Sequence, residues 1–145
     1  MAKVSIYTQN VMAPPLNVQK LAEWIDTVAH RHGRVAGQLT YVFCDDEYIL
    51  ETNRKFLGHD YYTDVITFDY SNARRIAGDM VISLDTIASN AQMLGVRENQ
   101  ELLRVVIHGV LHLCGINDKA PGEREIMEKN ENEALACCPD NVLEA

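Results

Sequence analysis

No apolar run in the chain approaches the ~18 residues that a membrane-spanning helix needs. The opening stretch MAKVSIYTQN carries no apolar core of a secretory signal. Both absences lead to the expectation of a soluble, cytoplasmic protein with no membrane partner. Cysteine is sparse and has no CxxC spacing; the four are Cys44, Cys114, Cys137 and Cys138. Without an export signal, reduced thiols are the expected state. The adjacent Cys137–Cys138 pair then reads as part of an inert tail, against a metal or redox alternative. Basic charge is also short. Thirteen Lys and Arg face 21 Asp and Glu, a net charge of −8, so bulk electrostatics gives no support for a general nucleic-acid binder. Repeats, low-complexity segments and linkers are all missing. The 145 residues are therefore expected to form one domain, residues 1–145, large enough to bury a core without disulfides.

What is present is unevenly distributed. Residues 97–145 hold ten acids against five bases, a net of −5. Elsewhere the bases come in small groups: Arg31 with Arg34, Arg54 with Lys55, and Arg74 with Arg75. A local basic rim is compatible with that spread. The apolar pattern alternates between periods. VSIYT, QLTYVFC, TDVITFDY and GDMVISLD read as four strands. Asn17 is placed to cap a helix carrying Val18, Leu21, Ile25 and Val28 on one face, with Gly33 at its end. DDEYILETNRKFLG is a second helix closing at Gly58. A short third one, capped by Asp85, stops at Gly95. Residues 97–114 make the longest helical segment, and its LLRVVIHGVLHL portion is apolar nearly all round, which predicts burial across a sheet. An acidic last helix follows, with Pro121 near its first turn. The order β-α-β-α-β-β-α-α-α predicts an α+β (α/β-type) domain: a short mixed sheet of about four strands, flanked by helices, with one buried central helix.

That central helix carries the chemistry. His108 and His112 are four residues apart, which places them about 40° apart on one helical face. Two imidazoles so placed can converge on one metal ion at about 2.0–2.1 Å. The same spacing also occurs between ordinary buried histidines, so the setting decides. Neutral imidazoles in an apolar helix need partners for both ring nitrogens, and a metal supplies one. Gly109, between them, suggests close approach of another backbone or space kept near the site. Gly115 can end the helix in the left-handed conformation and turn the chain back. Asp118 then falls where a third ligand would come from. His30 and His32 read as a solvated helix end, and His59 as a turn residue.

At this point the segment HGVLHLCGIND resembles the hallmark HGxLHLxGyDH of the YbeY family of metal-dependent endoribonucleases. NRKFLGHDYYTDVITF (Asn53–Phe68) is similar to that family's segment leading into a TDVLSF-like strand. AGDMVIS (Ala77–Ser83) looks like its GDIxIS strand, and Met127 and Glu131 sit near its M…E helix. The similarity spans about residues 45–135, in the family's order. It implies a compact α/β domain with one divalent metal, Zn²⁺, held by three histidines. It also implies single-strand-specific cleavage of ribosomal RNA, in maturation of the small-subunit 16S RNA 3′ end and in ribosome quality control, with ribosomal RNA and possible ribosomal subunit proteins as partners. By position, His108 and His112 are two of the ligands. The chain departs from the family pattern twice. Asp118 stands at the third histidine, and Leu57 at an arginine. Arg54, with Lys55 beside it, is the nearest candidate to hold a phosphate in that arginine's place.

Exchanging one histidine for a carboxylate lowers the site charge with Zn²⁺ from +2 to +1. A carboxylate is still an ordinary zinc ligand, and two histidines with one carboxylate form competent catalytic sites. Lower charge should weaken Lewis acidity, and the hard oxygen widens metal choice toward Mn²⁺ or Fe²⁺. The expected chemistry is hydrolysis of a phosphodiester by a metal-bound water, with no side chain assigned as base. Gly109 occupies the place of the glutamate in HExxH peptidases, which argues against that class. Two other readings compete. The same ligand types form the facial triad of non-haem Fe(II) oxygenases. Alternatively, a structural metal could pin the turn of a non-catalytic ribosome-assembly factor.

Overall fold

The computed structural model describes residues 1–60 and 63–144. Tyr61 and Tyr62, inside the family-like Asn53–Phe68 segment, lie outside the described residues. Four strands form one sheet: β1 (Lys3–Gln9), β2 (Val35–Cys44), β3 (Val65–Asp69) and β4 (Arg75–Ser83). Their spatial order is β1-β2-β4-β3. The first three in that order are mutually parallel, and β3 pairs antiparallel with β4. The expected mixed sheet of four strands is therefore present. Five α-helices accompany it: α1 (Val18–Arg31), α2 (Asp46–Thr52), α3 (Leu84–Leu94), α4 (Glu98–Leu113) and α5 (Glu123–Ala136).

Local signals explain most of these boundaries. The Asn17 side chain accepts from the Lys20 amide at 3.1 Å and starts α1. Asp45 does the same for α2 through Tyr48 N, at 2.9 Å. The second helical segment is not uniform, however. After α2 it widens into a π-helical turn, Asn53–Leu57, before Gly58 ends it. The cap of α3 also differs from expectation. Ser83 caps it by accepting from Thr86 N at 3.2 Å, whereas Asp85 lies inside the first turn. Asp85 instead accepts from the Asp46 amide at 3.0 Å and so closes the N-terminus of a neighbouring helix. Helix α5 begins at Glu123, two residues after Pro121, with Gly122 as its cap. The C-terminal tail is tied back: Asn17 N donates to Val142 O at 2.8 Å, and Glu144 N to Pro15 O at 2.7 Å.

The main core lies between the sheet and the helices. Leu39, Tyr41 and Phe43 of β2 and Ile76, Met80 and Ile82 of β4 are all fully buried. They face Val106, Ile107, Val110 and Leu111 of α4, which are buried as well. Tyr41 donates its hydroxyl to Val106 O at 3.0 Å, satisfying a buried polar group while joining sheet to helix. Trp24, the single tryptophan, is likewise fully buried and donates Nε1–H to Ala134 O of α5 at 2.9 Å.

Helix α4 packs on the sheet with no room for a Cβ at two facing glycines. A Cβ at Gly109 would stand 2.7 Å from Met80 Cγ. One at Gly78 on β4 would stand 2.5 Å from Phe68 O and 2.9 Å from Leu113 Cδ2. What approaches Gly109 is thus a side chain of the sheet, Met80, and not another backbone. The helix-propensity cost of Gly109, roughly 1 kcal/mol relative to Ala, is offset by the contact. Gly109→Ala is expected to lower stability by about 1–2 kcal/mol, because overpacking outweighs the gain in propensity. Urea denaturation checks this, and the penalty should largely vanish in a Met80→Ala background, where the clashing atom is gone.

Candidate metal centre

Helix α4 presents His108 and His112 side by side, and the sequence after it brings Asp118 back to them. Gly115 has φ +94°, its amide donates to His112 O at 2.9 Å, and the Ile116 amide donates to Leu111 O at 3.1 Å. This pair of bonds ends the helix by a left-handed residue, which glycine adopts without strain. The reversed chain then places Asp118 Oδ2 3.4 Å from His108 Nε2 and 3.5 Å from His112 Nε2. The two rings meet edge to face with centroids 4.5 Å apart. All three side chains are partly buried, and their ligand atoms lie within 4.8 Å of one another.

Those separations suit shared ligation of an ion better than a short hydrogen bond. An N–H···O bond prefers about 2.7–3.2 Å, so 3.4 and 3.5 Å are long for one. Bonds of about 2.0–2.2 Å at tetrahedral angles put ligand atoms about 3.3–3.6 Å apart. The donor set fits zinc or a comparable divalent ion, with two borderline nitrogens and one hard oxygen.

The remaining nitrogen of His108 is also committed. Nδ1 lies 2.6 Å from Glu131 Oε2 on α5. The other oxygen of Glu131 accepts from Arg104 Nη1 at 2.8 Å, and Arg104 Nη2 donates to Asn132 Oδ1 at 3.0 Å. Burial by itself would raise the pKa of Glu131, but the hydrogen bonds from His108 and Arg104 hold it below the usual carboxylate range. An ionised Glu131 only accepts, so His108 carries its proton on Nδ1 and directs Nε2 toward Asp118. Burial opposes a charged His108, yet the hydrogen bond and charge of Glu131, with Asp118 and Asp64 behind them, leave its pKa above the ordinary value. The same field favours any cation at Nε2. His112 differs: burial and the neighbouring His108 hold its pKa below the ordinary value, which keeps the imidazole neutral with a free lone pair.

Besides Glu101 on α4, Asp64, the residue before β3, is a further carboxylate of this neighbourhood. Burial raises its pKa against the opposing effect of His108. Neither Asp64 nor Arg104 was singled out by the sequence, and Glu131 entered only through the family-like M…E helix. The Arg104–His108 spacing of four residues was the available signal. The pairing with Glu131, 23 residues farther along, had none.

The cationic pair upstream lies on the π-helical turn. Arg54 is ion-paired with Asp60, and Lys55 Nζ lies 5.5 Å from the centroid of the Phe56 ring. Leu57 is 45% exposed, so the position of the family arginine faces solvent without a charge. Cys114 is buried at the end of α4, and burial pushes its thiol up to about 11. Cys137 is half-buried and donates to Ala134 O at 3.2 Å, and burial raises the Cys138 thiol to about 11. Protonated thiols are poor nucleophiles and poor ligands.

The chain is similar to known proteins over nearly its whole length. The family described as Endoribonuclease YbeY matches residues 6–138. A Parabacteroides distasonis protein named Endoribonuclease YbeY is 52% identical over 137 residues, covering 94% of this chain and 96% of its own. One of the same name from Bacteroides thetaiotaomicron is 56% identical over 133 residues, covering 92% and 97%. The solution structure of a Thermotoga maritima protein superposes with TM-score 0.64 at 26% identity, covering 92% of this chain and 90% of that one. A buried HxxxH helix, a glycine-ended turn and near full-length identity above one half converge on one conclusion: the chain belongs to the YbeY endoribonuclease family.

Proposed function

We propose that this protein is a metal-dependent, single-strand-specific endoribonuclease. Its substrate is ribosomal RNA, at the 16S RNA 3′ end during maturation and in ribosome quality control, within the cytoplasm. Residues 1–145 act as one domain, and ribosomal subunit proteins are partners during assembly. His108, His112 and Asp118 hold one Zn²⁺. The observation that carries the reading is the tetrahedron-edge spacing of Asp118 Oδ2 from both histidine Nε2 atoms, in a member of an endoribonuclease family.

A bound divalent ion would supply Lewis-acid polarisation of the scissile phosphate and activation of water. The chain's own groups do the rest. Arg104 and Glu131 fix the tautomer and direction of His108, so that its Nε2 meets the ion without reorganisation. The closeness of α4 to β4 holds both histidines on a rigid element. Gly109 leaves no helix-borne base beside the histidines. Arg54 and Lys55 meet the RNA from the π-helical turn, with Arg54 exchanging Asp60 for a phosphate. Against a purely structural metal stands the ligand set: among the described residues three protein donors converge, which leaves a position open as in catalytic zinc sites.

Three measurements test this. Wild-type protein should cut single-stranded ribosomal RNA, lose that activity on chelation and regain it with Zn²⁺. His108→Ala and His112→Ala should both be inactive, and equal activity in all three would sink the reading. Metal analysis should find about one Zn²⁺ per chain in the wild type and markedly less in Asp118→Ala. Glu131→Gln should weaken Zn²⁺ affinity by about 10–100-fold in a chelator competition, with the circular dichroism spectrum unchanged.

A further inference from the structure

We propose that Arg31, Arg34, Arg74 and Arg75 form a phosphate-binding surface, at the end of the sheet beside the Asp118 turn, over which a single RNA strand passes as it leaves the histidine site. The proposal rests on the RNA-cleaving reading above and adds where the strand runs.

The four arginines come from three parts of the chain that the fold brings together. Arg31 closes α1, and Arg34 follows it immediately before β2. Val35 N donates to Arg74 O at 2.8 Å, and Val35 sits opposite Arg75 in the β2–β4 register. The β3–β4 turn that carries Arg74 and Arg75 is held in shape from within. Asn72 Oδ1 accepts from Arg74 N at 3.0 Å and from Arg75 N at 2.7 Å. Arg34 Nη1 donates to Asn72 O at 3.1 Å, tying the two segments to each other. The stem of Arg75 lies across Gly37 of β2, its Cδ 3.0 Å from where a Cβ there would be.

The surface adjoins the candidate metal centre. Arg34 Nη2 stands 3.5 Å from the Cβ position of Gly115, the residue that turns the chain from His112 toward Asp118. Strand β3 runs beside α4 and ends in the turn carrying Arg74 and Arg75. A strand bound at the histidines therefore meets these arginines on its way past the sheet.

The charges have no internal explanation. Among the described residues, no ion pair is made by any of the four. Two carboxylates act in this neighbourhood: Asp69, whose Oδ1 accepts from Ser71 N at 2.8 Å, and Glu133, whose charge opposes those of Arg31 and Arg34 at His32. At His32, burial and then the charge of Arg31 lower the pKa, with Glu133 opposing and Arg34 adding to the lowering. Clustered, unpaired cations repel one another and cost the folded state energy, which an external polyanion relieves. All four are arginine, whose planar fork matches phosphate oxygens two at a time.

The test is binding of a labelled uridine dodecamer to the intact holo protein across a salt series, with the probe checked for cleavage on a gel. Arg74→Gln/Arg75→Gln should weaken binding about tenfold and flatten the salt dependence by about 1.4, two phosphates' worth. Lys20→Gln/Arg97→Gln, with the same change of net charge at the N-terminal ends of α1 and α4, should do neither. Both variants leave the core and the Arg34–Asn72 tie intact. Wild-type affinity and slope in the arginine variant, together with RNA cleavage by the wild type, overturn this surface and leave the nuclease standing. Binding through the arginines without cleavage does the reverse. If sedimentation instead shows that the arginine variant dissolves a dimer while RNA affinity holds, the surface serves a second copy of the chain and the proposal fails. No RNA binding by the wild type also overturns it.

Discussion

The site depends on how closely α4 lies on β4. Gly109 over Met80, and Gly78 under Leu113, remove side chains from both surfaces at two successive levels. A helix one Cβ farther out would carry His108 and His112 away from β3 and from the turn that returns Asp118. Dispersion rewards such an approach only if both surfaces are complementary along their length. The fully buried Ile76, Met80, Ile82, Val106 and Val110 supply that complementarity. Tyr41, donating to a carbonyl of α4, fixes the helix along its axis as well as against the sheet. The chemistry is thus placed by an apolar contact, and its polar groups need only finish the orientation.

Those polar groups form a chain of alternating charge. Arg104, Glu131, His108 and Asp118 follow one another from one side of the site to the other. Each member is half-buried or buried, where Coulombic interactions are weakly screened. The sequence is cation, anion, imidazole, anion, and it leaves negative potential focused where both Nε2 atoms point. His112 meets the same Asp118 oxygen at 3.5 Å but without a bond to Glu131, and burial with the neighbouring His108 holds its pKa below the ordinary value. One ligand is therefore electronically enriched and the other is not, although they occupy equivalent positions on one helix.

Much of this was legible because it is periodic or local. The buried run of α4, the HxxxH spacing, the turn at Gly115 and the four alternating strands are short-range patterns, and each survives in the structure. Gly109 was readable only as another backbone or space near the site, because a lone glycine does not say that a side chain, Met80, is what fills the gap. Local ambiguity explains the misplaced cap: Ser83 and Asp85 are both capping residues two positions apart, and only the helix geometry selects Ser83. The freed Asp85 then serves Asp46, a partner 39 residues away. Strand order, the Glu131–His108 bond and the Arg54–Asp60 pair were not legible for the same reason, since partner choice across space leaves no periodic trace. The π-helical turn at Asn53–Leu57 arises in a segment whose composition is that of an ordinary helix.

Helix α5 delivers Glu131 to the site, and its hold on the rest of the molecule includes the bond from Trp24 to the carbonyl of Ala134, less than one turn beyond. The chain has a single indole, and it is completely shielded from water. Its emission therefore works as a built-in gauge. Any event that lifts α5 off α1 hydrates that ring and withdraws Glu131 from His108 together, so the colour of one fluorophore reads out the state of an imidazole on another helix.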